Sequence, residues 1–302
     1  MIELLSSNLP LLAGFVFVLG LLFGSFFNVV IHRLPIILNR EWRTTATEIL
    51  KESECEVQCP KDDLPQKYGL VTPRSACPKC QHQITALENI PVLSWLFLRG
   101  KCRSCKTAIS IRYPFVELLT AITFTVCAYI FGFNWLLLFS LVFTSFLIVS
   151  SFIDYDHKIL PDQLTLPLVW IGLSVSLFIG PGEVQPSFVP DLQSAVIGAL
   201  CGYLVLWSIY WLFKIATGKE GMGHGDFKLL AAIGAFVGFK MLPLVIILST
   251  VTGAILGILT ITINKKGRDY TIPFGPFLAI AGWVTLIWGQ PLTEYYLSLL
   301  AP

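Results

Sequence analysis

An all-α polytopic membrane protein, with about eight transmembrane helices and one sizeable cytosolic loop, is the fold class this sequence predicts. Composition is the first observation behind it. Of the 302 residues 55% are hydrophobic and only 13% charged, where a soluble domain carries about 25% charged residues. The second is arrangement: the apolar residues gather into runs of membrane-spanning length, and the mean hydropathy is +0.72. The third is the placing of Lys and Arg, which fall almost entirely on one side of those runs. The net charge of +2 says little about partners, and no nucleic-acid partner is expected.

The apolar runs lie at about Leu9–Ile31, Pro114–Phe131, Trp135–Ile153, Leu164–Ile179, Leu192–Phe213, Leu242–Ile263 and Ile272–Gly289. Roughly 20 helical residues cross a bilayer, so each is read as a span. Leu229–Phe239 is shorter and reads as an eighth span that is thin, tilted or partly re-entrant. Gly234/Gly238 and Gly253/Gly257 are small-xxx-small pairs that permit close helix contact. Met1-Ile2-Glu3 lacks a basic n-region, and the first run continues through Val30 without a cleavage site, so no secretory signal peptide is expected.

Thirteen of the 21 Lys and Arg residues lie in Arg33–Arg112, and seven more are Lys158, Lys214, Lys219, Lys228, Lys265, Lys266 and Arg268. Eight spans starting outside put all of these on one side and only Lys240 opposite. The positive-inside rule then places the N-terminus outside and the long loop in the cytosol. Three parts follow: a first transmembrane helix (1–34), a cytosolic loop (35–112) and a transmembrane core (113–302).

Within the loop, Cys77-Pro78-Lys79-Cys80 and Cys102-Arg103-Ser104-Cys105 are separated by 21 residues. Four thiolates so spaced form two knuckles that close a tetrahedral site, for zinc above all. Disulfide pairing is the competing reading, but cytosolic thiols stay reduced. With Cys77, Cys80, Cys102 and Cys105 filling every position, the zinc is structural, and it staples a loop too small and polar for a core of its own. Cys55 and Cys59 offer too few ligands for a second site and stay unassigned. Cys127 and Cys201 read as small hydrophobes within spans.

Two stretches bring acids to the membrane edge on that same side. In Gly221-Met222-Gly223-His224-Gly225-Asp226 an aspartate opens an apolar run; in Ile153-Asp154-Tyr155-Asp156-His157-Lys158-Ile159-Leu160-Pro161-Asp162 Asp154 closes one. An ionisable group there is costly and marks a functional site. The blander reading of Asp226 is a helix N-cap. Gly221, Gly223 and Gly225 allow φ > 0 and close approach of the backbone. Asp156 and Asp162 lie further out and read as solvated or capping residues.

Two membrane-edge carboxylates from different helices are what an aspartyl hydrolase requires. Held close, they cannot both ionise: one activates water as general base while its protonated partner polarises the scissile carbonyl. Intramembrane carboxylates also serve cation or proton transport, and spacing alone does not separate the two.

Taken in order, the short motifs resemble those of the bacterial type IV prepilin peptidases, or leader peptidase/N-methyltransferases, of the GxGD aspartyl protease group. Gly24-Ser25-Phe26-Phe27-Asn28-Val29-Val30-Ile31-His32-Arg33-Leu34-Pro35 resembles the first-span motif, with Phe27 where Leu is usual. The paired CxxC motifs and Glu88-Asn89-Ile90-Pro91-Val92-Leu93-Ser94-Trp95 resemble the cytosolic loop. Arg112-Tyr113-Pro114-Phe115-Val116-Glu117, the two aspartate stretches and Pro273-Phe274-Gly275-Pro276 complete the set.

The resemblance implies that Asp154 and Asp226 are the catalytic pair, with Gly223, Gly225 and Lys228 in support. It implies an inner-membrane enzyme with a periplasmic N-terminus and a cytosolic active site. Such an enzyme cuts the basic leader from type IV prepilins and type II secretion pseudopilins after Gly, usually before Phe. It then methylates the new N-terminus from S-adenosylmethionine, for which no binding motif is legible on physical grounds. The alternative is a polytopic cation- or proton-coupled transporter built on the same carboxylates.

Other residues carry lesser expectations. Lys228 either supports an ionised Asp226 or snorkels. His157 and His224 read as polar residues at a wet helix boundary, Arg33 and His32 as topology determinants. Glu117 either pairs with Arg112 or works in the loop. Asp156, Asp162 and Glu220 are expected to guide a basic leader electrostatically.

Overall fold

The computed structural model describes residues 2–52, 65, 67–179, 189–264 and 272–300, which fall into two compact units, Met1–Phe133 and Asn134–Pro302. Cys55, Cys59, Lys265, Lys266 and Arg268 lie outside the described residues.

The first unit opens with α1 (Ile2–Ser7) and α2 (Leu9–Glu52). The predicted first span is only the front half of α2, which runs 44 residues through Pro35 without a break. Beyond the apolar part, Thr44, Thr45 and Thr47 return hydroxyl hydrogen bonds to carbonyls one turn back, at 2.7–3.1 Å. Arg33 does more than set topology. Its buried guanidinium donates to the carbonyls of Gly69, Leu70 and Pro73 (3.0, 3.2 and 2.7 Å) and lies over the Tyr68 ring, fastening the loop to α2.

The loop holds α3 (Leu93–Phe97) and leads into α4 (Arg112–Phe131), which packs along α2. Gly20 and Gly24 make that contact. A Cβ at either would sit 2.6 Å from a Cα of α4, that of Ala121 or of Glu117, so the two backbones nearly touch.

The second unit holds α5 (Trp135–His157), α6 (Asp162–Phe178), α7 (Leu192–Thr217), α8 (His224–Val237), α9 (Leu242–Asn264) and α10 (Gly275–Leu300). Asn134 and Asp191 cap α5 and α7, accepting the N–H of Leu137 at 3.0 Å and of Ser194 at 2.7 Å. Each of the eight predicted apolar segments falls on one helix among α2 and α4–α10. Among the described residues five are long and apolar enough to cross a membrane: α2, α4, α5, α7 and Leu242–Leu259 of α9. The chain is an all-helical polytopic membrane protein.

The short eighth segment is the core of this unit. From Asp226 to Val237 every residue of α8 but Lys228 is buried, as befits a helix apolar all round and packed by α6, α7 and α10. Its neighbours meet it with glycines. Gly198 of α7 lies against Gly234, backbone to backbone, and a Cβ on Gly202 would sit 2.6 Å from the Leu230 carbonyl.

Of the two expected pairs, Gly234/Gly238 thus supplies the close helix contact, through Gly234 opposite Gly198, and Gly253/Gly257 does not. At 253 and 257 a Cβ would come no nearer than 3.3 Å to a flexible side chain. Gly238 serves as a cap after α8, with φ +76°.

Candidate active site and metal centre

Asp154 lies in the last turn of α5, where its backbone carbonyl accepts the N–H of Lys158, the cap residue in the left-handed conformation. A carboxylate there opposes the dipole of its own helix. It is met instead by the N-terminus of another: the Gly275 N–H, at the start of α10 and 121 residues along the chain, donates to Asp154 Oδ2 at 2.9 Å. A Cβ on Gly275 would sit 2.6 Å from that same oxygen. Only glycine brings the N–H so close.

Asp226 lies in the first turn of α8, three residues past the N-cap. The N-cap is Gly223, without a side-chain hydrogen bond, and Asp226 Oδ1 is buried with no hydrogen-bond partner. Both acids are almost wholly buried, at 6% and 7% exposure, and they lie within electrostatic range of one another. The structure therefore brings together the two aspartates singled out from sequence. A buried carboxylate oxygen lacking any donor is costly unless water or a substrate group meets it.

The glycines work by space and not by unusual dihedrals. None of Gly221, Gly223 or Gly225 has a positive φ, contrary to expectation; that role falls to Gly218, φ +71°, which ends α7. Gly225 lies against Leu160, where a Cβ would come within 2.6 Å of its Cβ, and Gly221 against the Phe213 ring at 2.8 Å. At Gly223 a Cβ would have room, 3.8 Å from Asp226 Oδ2.

Lys228 turns away from the pair and bonds Asp162 Oδ1 at 2.6 Å. Gly225 and Lys228, three apart on one face, thus join α8 to the turn leading into α6. Two of the three acids expected to guide a leader are engaged by lysines, Asp162 by Lys228 and Glu220 by Lys214 at 2.8 Å. His224 stacks on the Tyr210 and Phe227 rings, 5.1 and 5.4 Å between centroids, and His157 is exposed. Sequence reasoning singled out Gly275 only within the Pro273–Pro276 motif and gave it no role. Its signal was present, a glycine between prolines at the start of a long apolar helix, but nothing local said which acid it meets.

In the first unit the two CxxC motifs form matching knuckles. The N–H of Cys77 bonds the His82 carbonyl and that of Cys102 the Thr107 carbonyl, at 2.9 and 2.8 Å. Gln81 and Lys106 both take φ +58° just past the second Cys. The four Sγ atoms lie within 4.8 Å of one another, with 3.7 Å from Cys77 to Cys105 and 3.9 Å from Cys80 to Cys102.

A tetrahedron of Zn–S bonds of about 2.3 Å has sulfur–sulfur edges of about 3.8 Å, so the cluster fits zinc and is too open for disulfides. The thiols share their protons unequally: hydrogen bonds from the Thr107 hydroxyl and N–H bring Cys105 down to about 6, while at Cys80 the His82 backbone bond is outweighed by burial and the neighbouring thiols, which push it up to about 11. Beside the knuckles, the Thr85 N–H holds Glu88 down at about 2, helped by its hydroxyl and by His82. Glu117 is tied to the loop: its Oε2 accepts the Val92 N–H at 2.7 Å.

Residues 18–131 match the family described as the bacterial peptidase A24 N-terminal domain, and residues 141–258 match the type IV leader peptidase family. Similar curated proteins are named prepilin leader peptidase/N-methyltransferase. One from Aeromonas salmonicida is 53% identical over 97% of both chains, and one from Stutzerimonas stutzeri 49% identical over 98% of both. One from Pseudomonas aeruginosa is 50% identical over 93% of this chain and 91% of its own. No solved structure matches the chain. These matches lend the transport reading no support.

Proposed function

Because this chain belongs to the type IV leader peptidase family, we propose that it cleaves the leader of type IV prepilins and pseudopilins with Asp154 and Asp226, then methylates the exposed N-terminus. The observation that carries the peptidase assignment is the pair itself: two buried carboxylates from the ends of α5 and α8, within electrostatic range, one oxygen lacking any protein partner.

Sharing one proton, the pair holds a water molecule. The ionised carboxylate takes a proton from it as it attacks the carbonyl carbon, and the protonated carboxyl gives its own to the carbonyl oxygen. Collapse of the tetrahedral gem-diol breaks the C–N bond and passes a proton to the departing amine. Gly275 positions Asp154 through its N–H, and Gly225, with the Lys228–Asp162 pair, sets α8 against the start of α6.

Methylation moves the S-methyl group of S-adenosylmethionine to the new amine, releasing S-adenosylhomocysteine and a proton. The chain sits in the inner membrane with the N-terminus periplasmic, following its Lys and Arg. Residues 35–112 form the cytosolic loop between the first span and the core of 113–302, and zinc held by Cys77, Cys80, Cys102 and Cys105 keeps the knuckles folded.

Mass spectrometry of a prepilin incubated with purified protein, with and without S-adenosylmethionine, tests the whole reading. Cleavage after Gly in both samples, with one added methyl only where donor is present, is the expected result. An intact prepilin with wild-type protein, or processing that survives Asp226→Asn, rejects it.

A further inference from the structure

The short helix α3 carries more exposed apolar surface than a loop in water warrants. Leu93, Leu96 and Phe97 are 51%, 56% and 84% exposed. With Leu87 and Ile90, Leu93 and Phe97 line an open apolar cavity of about 210 Å³, smaller than the roughly 300–1,000 Å³ that small-molecule sites occupy. Apolar surface of this kind marks a protein or membrane contact.

The two ends of α3 are pinned to the start of α4. At the first, Glu117, five residues into α4, accepts the Val92 N–H at 2.7 Å and holds that β-branched residue at φ +60°, a conformation it rarely adopts. At the second, Gly100 donates to the Trp95 carbonyl (2.8 Å) and Ile109 to the Gly100 carbonyl (2.7 Å), while Trp95 Nε1 donates to the Ile109 carbonyl (3.2 Å). Ile109 precedes Arg112 by three residues, a reach of about 10 Å at most. So α3 lies at the level where α4 meets the bilayer.

Charge points the same way. From Leu87 to Arg112 the sole acid is Glu88, engaged by Thr85, His82 and Arg103, against the bases Arg99, Lys101, Arg103, Lys106 and Arg112. Apolar side chains rimmed by five bases against one acid fit an anionic lipid surface.

We propose that α3, with Leu87 and Ile90 beside it, is embedded in the interfacial zone of the membrane leaflet at the mouth of α4, its flanking bases on lipid phosphates. The anionic character of that leaflet rests on the cytosolic orientation proposed above; the depth of α3 does not. The zinc knuckles are thereby held down on the bilayer surface.

The test is photo-cross-linking of full-length protein in nanodiscs of phosphatidylcholine, with and without phosphatidylglycerol. A phospholipid bearing a diazirine in its upper acyl chain is activated, and adducts are mapped by mass spectrometry. Adducts are expected in 87–98 as well as at the exposed α4 residues Phe115 and Ile122, and those in 87–98 rise about fivefold with phosphatidylglycerol. Leu96→Asp and Phe97→Asp each lower the 87–98 adducts about tenfold. In both variants bound zinc reports folded knuckles and α4 adducts report insertion.

Adducts confined to the spans overturn the proposal. So do chemical cross-links that join 87–98 to another part of the chain, to a second copy or to a prepilin in place of lipid. The readout is independent of prepilin processing, so failure of the peptidase reading would leave it standing.

Discussion

Replacing Gly275 by Ala tests whether α10 aims the Asp154 carboxylate. The new Cβ would lie 2.6 Å from Asp154 Oδ2, about 0.8 Å short of the 3.4 Å at which ordinary contact begins. Gly275 does not have a positive φ, so alanine needs no left-handed backbone there and the change acts through the new Cβ. Either the carboxylate swings away or α10 retreats, and in each case the 2.9 Å hydrogen bond is lost. A hydrogen bond to a charged group contributes about 1.5–3 kcal/mol, and a catalytic group misplaced by about 1 Å costs about 100-fold.

At about 1.4 kcal/mol per factor of ten, the two estimates agree on a fall of about 10- to 100-fold in kcat/KM for prepilin cleavage. Initial rates in nanodiscs measure it, with Gly14→Ala as control, since a Cβ there meets nothing within 4 Å. Cleavage by Gly275→Ala within about threefold of wild type would refute the idea that this N–H positions Asp154.

Three further outcomes are expected. Asp154→Asn and Asp226→Asn each slow cleavage about 10⁴-fold and the double variant is no worse, because the acids act as a unit; wild-type kcat/KM is bell-shaped in pH, requiring one ionised and one protonated carboxyl. A double-mutant cycle on Asp162→Ala and Lys228→Ala, followed by thermal unfolding, yields a coupling below about 1 kcal/mol, since the Asp162 side chain is half exposed. Metal analysis finds one zinc per chain, Cys102→Ser loses it, and limited proteolysis then cuts between the knuckles.

Much of this protein is legible along the chain because its physics is local. An apolar run needs no partner to declare itself a span, and the lack of water in the bilayer forces such a run into a helix. CxxC spacing is likewise local, since each knuckle closes over six residues, as the Cys77-to-His82 and Cys102-to-Thr107 bonds show. Asp154 and Asp226 stood out for the same reason: a charge at the end of an apolar run is an anomaly visible without neighbours.

The extent of α2 was not legible, because the polar residues after Pro35 carry no hydrophobic period that separates helix from loop. Nor was the partner of Lys228. Asp226 is nearer in sequence, but residues two apart on a helix do not face each other, and Asp162 occupies the face that Lys228 shares with Gly225.

Hydropathy, charge placement and cysteine spacing thus determined the class of fold, the number of apolar segments, the four-cysteine cluster and which two acids lie buried at helix ends. Only the tertiary structure decided that the least hydrophobically extended segment, α8, is the buried centre of its unit, and that the N-terminus of α10 meets the carboxylate at the end of α5. Burial and hydrogen-bond partners depend on which helices adjoin in space. That choice rests on backbone approaches such as Gly198 to Gly234 and Gly275 to Asp154, between residues that no local pattern connects.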